Sequence, residues 1–280
     1  IRCTWLLTDV RGNVIELAYD QGEVASAEQK SAIDEIELEL VKGNKTALFN
    51  LASLLFDELA LRPGLKSKAA RGYALSRAEP CEEKIQQERF ICQERSDAIG
   101  TAFTSGLSRS LTSLQQNIEY YLASETLVAL AKIEASLAVI RHGFWLFSEY
   151  LSPEELLIRA ELSHFVHLLS WVDNAIHLQE LTNKTGNYRK KLDFSKQLIK
   201  QLKIEKRRFP STDDICQLLH SARFNQLQLN ILQLYLSRAQ TPVLAGSEGG
   251  NTLIKFAQDR IQFSLREIST QMKSAEHFTC

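Results

Sequence analysis

From Glu35 to Leu40 the chain alternates strictly, Glu-Ile-Glu-Leu-Glu-Leu. A period of two belongs to a β-strand, whose successive side chains point to opposite faces, and it is incompatible with an amphipathic helix over these residues. Glu35, Glu37 and Glu39 therefore share one face, and Ile36, Leu38 and Leu40 share the other. Carboxylates on alternate residues stand roughly 6–7 Å apart along a strand and repel one another. Packing does not ask for such a row, whereas a hard divalent cation does, because Mg²⁺ and Mn²⁺ prefer carboxylate oxygens. The competing reading is the solvated face of an edge strand, where charge is tolerated.

The strand period holds to about residue 45 and a helical period follows, which makes the chain α+β. Arg2 to Thr8 reads as a strand, Arg11-Gly12-Asn13 as a turn, and Val14 to Tyr19 as a second strand. Asp20-Gln21-Gly22-Glu23 predicts another turn, and Lys42-Gly43-Asn44 closes the acidic strand. Leu48, Leu51, Ala52, Leu55 and Leu59 recur at helical spacing as far as Pro63-Gly64, and Lys66 to Leu75 reads as a short charged strand or loop. From about residue 95 the pattern is helical almost throughout. Phe103 to Leu122 and Ile133 to Phe147 step by three or four; Ser152-Pro153-Glu154-Glu155 starts a helix with Ile158, Leu162, Phe165, Leu169, Val172 and Ile176 on one stripe. Ser211 or Thr212 caps a long helix through Leu236, and a last helix spans about 252–272 after Gly246 to Gly250.

The 280 residues carry a net charge of −1 with 44% hydrophobic and 24% charged residues, which argues against a nucleic-acid partner. No apolar run approaches the ~20 residues that span a bilayer, so no membrane association is expected. Five scattered cysteines without CxxC spacing fit reduced thiols and a cytoplasmic location better than a disulfide framework. The chain opens at Ile1 without Met, inside a predicted strand, and is read as lacking its natural N-terminus.

Four segments in order resemble the C-terminal part of a CYTH domain, the triphosphate tunnel metalloenzyme fold. They are Arg2 three residues before Trp5, Ile15 to Glu23, Glu35 to Leu40, and Lys66-Ser67-Lys68-Ala69-Ala70-Arg71-Gly72-Tyr73. The remainder resembles a CHAD domain, a helical module associated with polyphosphate. This layout is similar to that of bacterial inorganic triphosphatases. The resemblance implies residues 1–76 as the C-terminal strands of a CYTH β-barrel, 77–95 as a linker and 96–280 as a CHAD-like helical bundle. It also implies hydrolysis of triphosphate to pyrophosphate and phosphate, with Mg²⁺ or Mn²⁺ held by Glu35, Glu37 and Glu39. Arg2, Lys68 and Arg71 become phosphate contacts, and Asp20, on one face with Glu16, becomes the catalytic carboxylate that tunes the metal or its water.

Two features depart from the family pattern. The opening Glu-x-Glu-x-Lys strand of the family is missing, so these residues are expected to be inactive alone. In the helical part the positions matching the family's cationic helix read Ala131, Glu134, Ala138 and Val139, with Arg141 retained, which leaves a scaffold or a homodimer surface as its role. A non-catalytic polyphosphate-binding or scaffold protein is therefore the alternative function. The basic run Arg189 to Arg208 is read as a solvated face or a polyanion contact. His164, His167 and His177 fall on one predicted helix in a structural role, and Trp145 and Trp171 are assigned to the core.

Overall fold

The computed structural model describes residues 1–26, 29–76, 98–183, 195–240 and 252–276. The fold is α+β and mostly helical. Strands β1 (Arg2–Thr8), β2 (Val14–Ala25) and β3 (Lys30–Lys42) form an antiparallel sheet in that order, and the sheet is not closed into a barrel. Asp9 builds the first turn: its Oδ1 accepts the amides of Arg11 at 2.8 Å and Asn13 at 2.9 Å, and Gly12 takes the positive φ of +78° that the turn needs. The turn predicted at Asp20 to Glu23 does not form. These residues stay in β2, paired from Asp20↔Glu35 to Glu23↔Ala32, because a long partner strand overrides local turn propensity. Gly43, φ +111°, closes β3, and a Cβ there would lie 2.1 Å from Asn13 Oδ1, the atom that accepts the Asn44 amide.

Helix α1 (Thr46–Glu58) packs between β3 and the later helix α9 (Ala222–Gln240). Residues read as a strand or loop instead form α2 (Lys68–Ser76). The missed signal is Ser67, whose Oγ accepts the Ala70 amide at 3.2 Å as an N-cap. This helix lies over β2 and β3. Residues 77–95, the expected linker, lie outside the described residues.

The helical half is built on α3 (Ile99–Ser124) and α4 (Leu127–Leu146), which pack on each other, with α5 (Pro153–Leu168) and α9 (Ala222–Gln240) completing one core. Leu114, Ile133, Leu137, Phe144, Leu162 and Phe224 are fully buried there. Ser152 caps α5 in the expected capping box. The stripe from Ile158 to Ile176 does not belong to one helix: α5 ends at Leu168, and α6 (Val172–Thr182) follows. Leu169 and Val172 are both buried, so a bend between them keeps the stripe inside, and Ser170 Oγ satisfies the His167 carbonyl at 2.7 Å. The helix predicted through Leu236 is likewise α8 (Thr212–Leu219) and α9, with Ser211 as its cap.

His164 and His167 lie on α5 and His177 on α6; His164 packs edge-on against Phe165, and the other two are exposed. Trp171 stacks on Phe209 at 5.3 Å, whereas Trp145 is 38% exposed and is not a core residue. Within the basic run, α7 (Ser195–Lys206) exposes Lys200, Lys203 and Lys206, as a solvated face does, while Arg189 to Lys191 lie outside the described residues. The last helix is α10 (Leu253–Glu276). Among the described residues no helix is long and apolar enough to cross a membrane.

The sheet is fastened to the helices by polar contacts. Asn225, fully buried, donates from Nδ2 to the carbonyls of Leu61 at 2.8 Å and Ser221 at 3.0 Å, tying the α1–α2 connection to the start of α9. Arg62 grips Glu119 of α3, and Ser53 Oγ donates to Gln226 at 2.5 Å.

Candidate metal and phosphate site

Register builds the site. Arg2 pairs with Asp20 and Asp20 with Glu35, so one cation and two carboxylates form a row straight across the sheet. The next row on the same face is Thr4, Ala18 and Glu37. Ala18 contributes only a methyl, which leaves room between the rows for a side chain from α2. Lys68 and Arg71 stand three residues apart on that helix and therefore share its sheet-facing side. Lys68 Nζ lies 2.8 Å from Asp20 Oδ2 and 2.6 Å from Glu37 Oε1, and it also contacts Glu35. Arg71 pairs with Glu35, while Arg2 pairs with Glu37 and lies 3.2 Å from Asp20 Oδ1.

Three carboxylates and three cations thus interleave on one face. Oxygens of Asp20, Glu35 and Glu37 all lie within 4.8 Å of one another, close enough to share one metal ion. Asp20 is 6% exposed, and its Oδ2 faces Lys68 Nζ at 2.8 Å. Arg71 Nε is buried and donates to nothing among the described residues. A buried donor without a partner is costly and implies a ligand that satisfies it. Carboxylates of this number and spacing suit a hard divalent cation.

Electrostatics keep the cluster ionised. Lys68 does most to hold Asp20 below its ordinary value, with Arg2 adding to it against the opposing effect of burial. Glu37 is lowered for the same reason, Lys68 first. Burial by itself would lower Lys68, but its bonds to Asp20 and Glu37 reverse that and raise it. Asp20 is therefore anionic and Lys68 cationic at neutral pH.

Glu39 is not brought in. It lies one row further along β3, opposite Glu16, exposed and without an ion pair among the described residues. The sequence named Arg2, Asp20, Glu35, Glu37, Lys68 and Arg71 separately, and the fold gathers these six. What local pattern does not carry is the insertion of Lys68 among all three carboxylates, since that depends on how α2 lies on the sheet. Beside the cluster a cavity of about 720 Å³ opens between β3, α1, α3 and α9. Glu35, Glu37 and Arg71 form part of its wall, with Arg62, Lys66 and Glu119 opposite the strand.

No family model matches the chain. An inorganic triphosphatase of Haemophilus influenzae is 29% identical to it over 120 residues, 43% of this chain and 34% of that protein. The chain thus spans about a third of the length of the curated relative it matches.

Proposed function

We propose that the protein carrying this chain hydrolyses inorganic triphosphate to pyrophosphate and phosphate in a divalent-metal-dependent reaction. The observation that carries this reading is the convergence of Asp20, Glu35 and Glu37 with Arg2, Lys68 and Arg71 on one sheet face. The similarity to a protein named inorganic triphosphatase supports the substrate. In this reading residues 1–76 are the C-terminal strands of a CYTH domain and 96–280 a CHAD-like helical domain, in a cytoplasmic bacterial protein.

Phosphoryl transfer needs positioning and charge neutralisation more than covalent help. Asp20, Glu35 and Glu37 are the residues that would hold Mg²⁺ or Mn²⁺, which supplies Lewis acidity to the phosphate oxygens. Arg2 and Arg71 present guanidinium forks that match phosphate oxygens, and Arg71 keeps a buried N–H to give. Lys68, at the focus of the carboxylates, balances their charge and can pass to a phosphate oxygen within the same space. Asp20, held anionic by Lys68, orients a water and cannot serve as the acid. Glu39, one row further along the face, stays outside this ligand set.

β1 pairs with β2 alone among the described residues, so the sheet forms one wall, and turnover is expected to need further strands along that edge. Phosphate release from tripolyphosphate with Mg²⁺ tests the proposal. In the protein carrying this chain Glu37→Gln should lower turnover by roughly a hundredfold or more. Unchanged turnover in Glu37→Gln would remove Glu37 from the site. Robust turnover by these 280 residues alone would overturn the need for further strands.

The second reading is a non-catalytic polyphosphate-binding or scaffold protein. It is favoured by one observation: each carboxylate of the cluster already has a cationic partner, as in a static support. Polyphosphate binding without turnover in the longer protein would select it.

A further inference from the structure

We propose that a second ligand site lies between α4 and α5, and that it takes a small organic phosphate bearing a flat ring, the chemistry of a nucleoside monophosphate. An open pocket of about 390 Å³ is lined there by Arg141, His142, Trp145, Arg159 and Ser163. That volume lies within the range of small-molecule sites, roughly 300–1,000 Å³, and exceeds what a bare phosphate fills.

The charges on one wall are unbalanced. Three other arginines of the helical half are matched: Arg223 with Glu161, Arg238 with Glu155 and Arg260 with Glu149. Arg141 and Arg159 form no ion pair among the described residues, although both line one pocket. The carboxylate that feels Arg141 is Glu134, two turns earlier on α4, and it does not reach it. Arg141 instead places its Nη2 3.3 Å from His142 Nε2, a cation against an imidazole. Burial, then Arg141, then Arg159 hold His142 below its ordinary value. Two guanidiniums converging without a carboxylate gain most from an anion that both can grip, and phosphate oxygens suit their planar forks.

Trp145, one turn after Arg141 on α4, explains why the anion should be organic. Trp145 lines the pocket and is 38% exposed, its ring covered by Arg260, whose guanidinium carbon lies 4.9 Å from the ring centroid. Arg260 is fixed in turn by Glu149 at 2.9 Å and by the Trp145 carbonyl at 3.0 Å, so the indole is propped in place. A propped, partly exposed indole offers a stacking surface that nucleobases of any sequence use. Ser163 Oγ donates to the Arg159 carbonyl at 2.9 Å and presents its oxygen as an acceptor, which suits a sugar hydroxyl better than a phosphate.

Calorimetric titration of the whole chain with AMP, adenosine, inorganic phosphate and long-chain polyphosphate tests this site. AMP should bind at least tenfold more tightly than phosphate or adenosine. Arg159→Glu, an exposed position, should weaken AMP more than tenfold with circular dichroism unchanged. Trp145→Leu should bring AMP down to the level of phosphate, and Trp145→Phe, which keeps a ring for packing, should retain the preference. AMP no tighter than phosphate, binding of polyphosphate alone, or full AMP affinity in Arg159→Glu would each overturn the proposal.

Discussion

The two halves of the molecule bury opposite things. The helical half buries hydrocarbon, with Leu114, Ile133, Leu137, Phe144 and Leu162 at no measurable exposure. The sheet buries a charge, Asp20, and surrounds it with Lys68, Arg2 and two further carboxylates. Burying one Leu or Phe is worth roughly 1.5–3 kcal/mol, whereas an exposed ion pair gives about 0–1 kcal/mol. The helices therefore hold the fold, and the sheet holds charges in register at little gain in stability. Such an arrangement fits a site whose groups must exchange partners when a ligand arrives.

The sharpest break in this contrast should come from the core. Phe144→Ala removes a ring packed edge-on to Phe103 at 6.0 Å and should cost about 3–5 kcal/mol, read by urea denaturation. A loss below about 1 kcal/mol would mean the helical core is not the anchor. Next is the joint between the halves. Asn225→Ala takes the side-chain donor from the Leu61 carbonyl and the acceptor from the buried Gln228 Nε2, and should cost about 1–3 kcal/mol, with the sheet exchanging its amide hydrogens faster than the helices. Uniform exchange would make the joint irrelevant. Gly43→Ala should cost about 1 kcal/mol or more, since the new Cβ would strike Asn13 Oδ1 and the backbone is left-handed there.

The smallest effect is on pH dependence. Asp20 and Glu37 are held below their ordinary values of 3.8 and 4.5, so their stabilisation is complete above those values and is lost as pH falls through the lowered ones. Lys68 is raised above 10.5, so its contribution is present below that value and is lost as pH rises through the raised one. Lys68→Met should flatten both edges of the stability profile while costing less than Asn225→Ala. Unchanged acid and alkaline edges would show that Lys68 does not couple to the carboxylates.

What the sequence discloses follows the range of each interaction. Glu35 to Leu40 announces β3 because strand alternation is local, and Ser152-Pro153-Glu154-Glu155 announces α5 because a cap is local. The bends at Leu169 to Trp171 and at His220-Ser221 carry no Gly or Pro, and the apolar stripe runs through both, so one helix and two read alike. The turn expected at Asp20 to Glu23 failed because pairing with β3, far along the chain, outweighed local preference. Arg2, Asp20, Glu35, Glu37, Lys68 and Arg71, which gather on the sheet face, were each named from the sequence as candidates. Their mutual contacts were not, because Lys68 meets Asp20 and Glu37 across 48 and 31 residues through the docking of α2.

The claim on which the rest depends is that Asp20, Glu35 and Glu37 hold one divalent cation. Mn²⁺ paramagnetic resonance on this chain, with no phosphate added, tests it directly. The free Mn²⁺ signal should fall as protein is added and should recover in the Glu35→Gln, Glu37→Gln double variant. Equal depletion by that variant, or none by the unaltered chain, would contradict it.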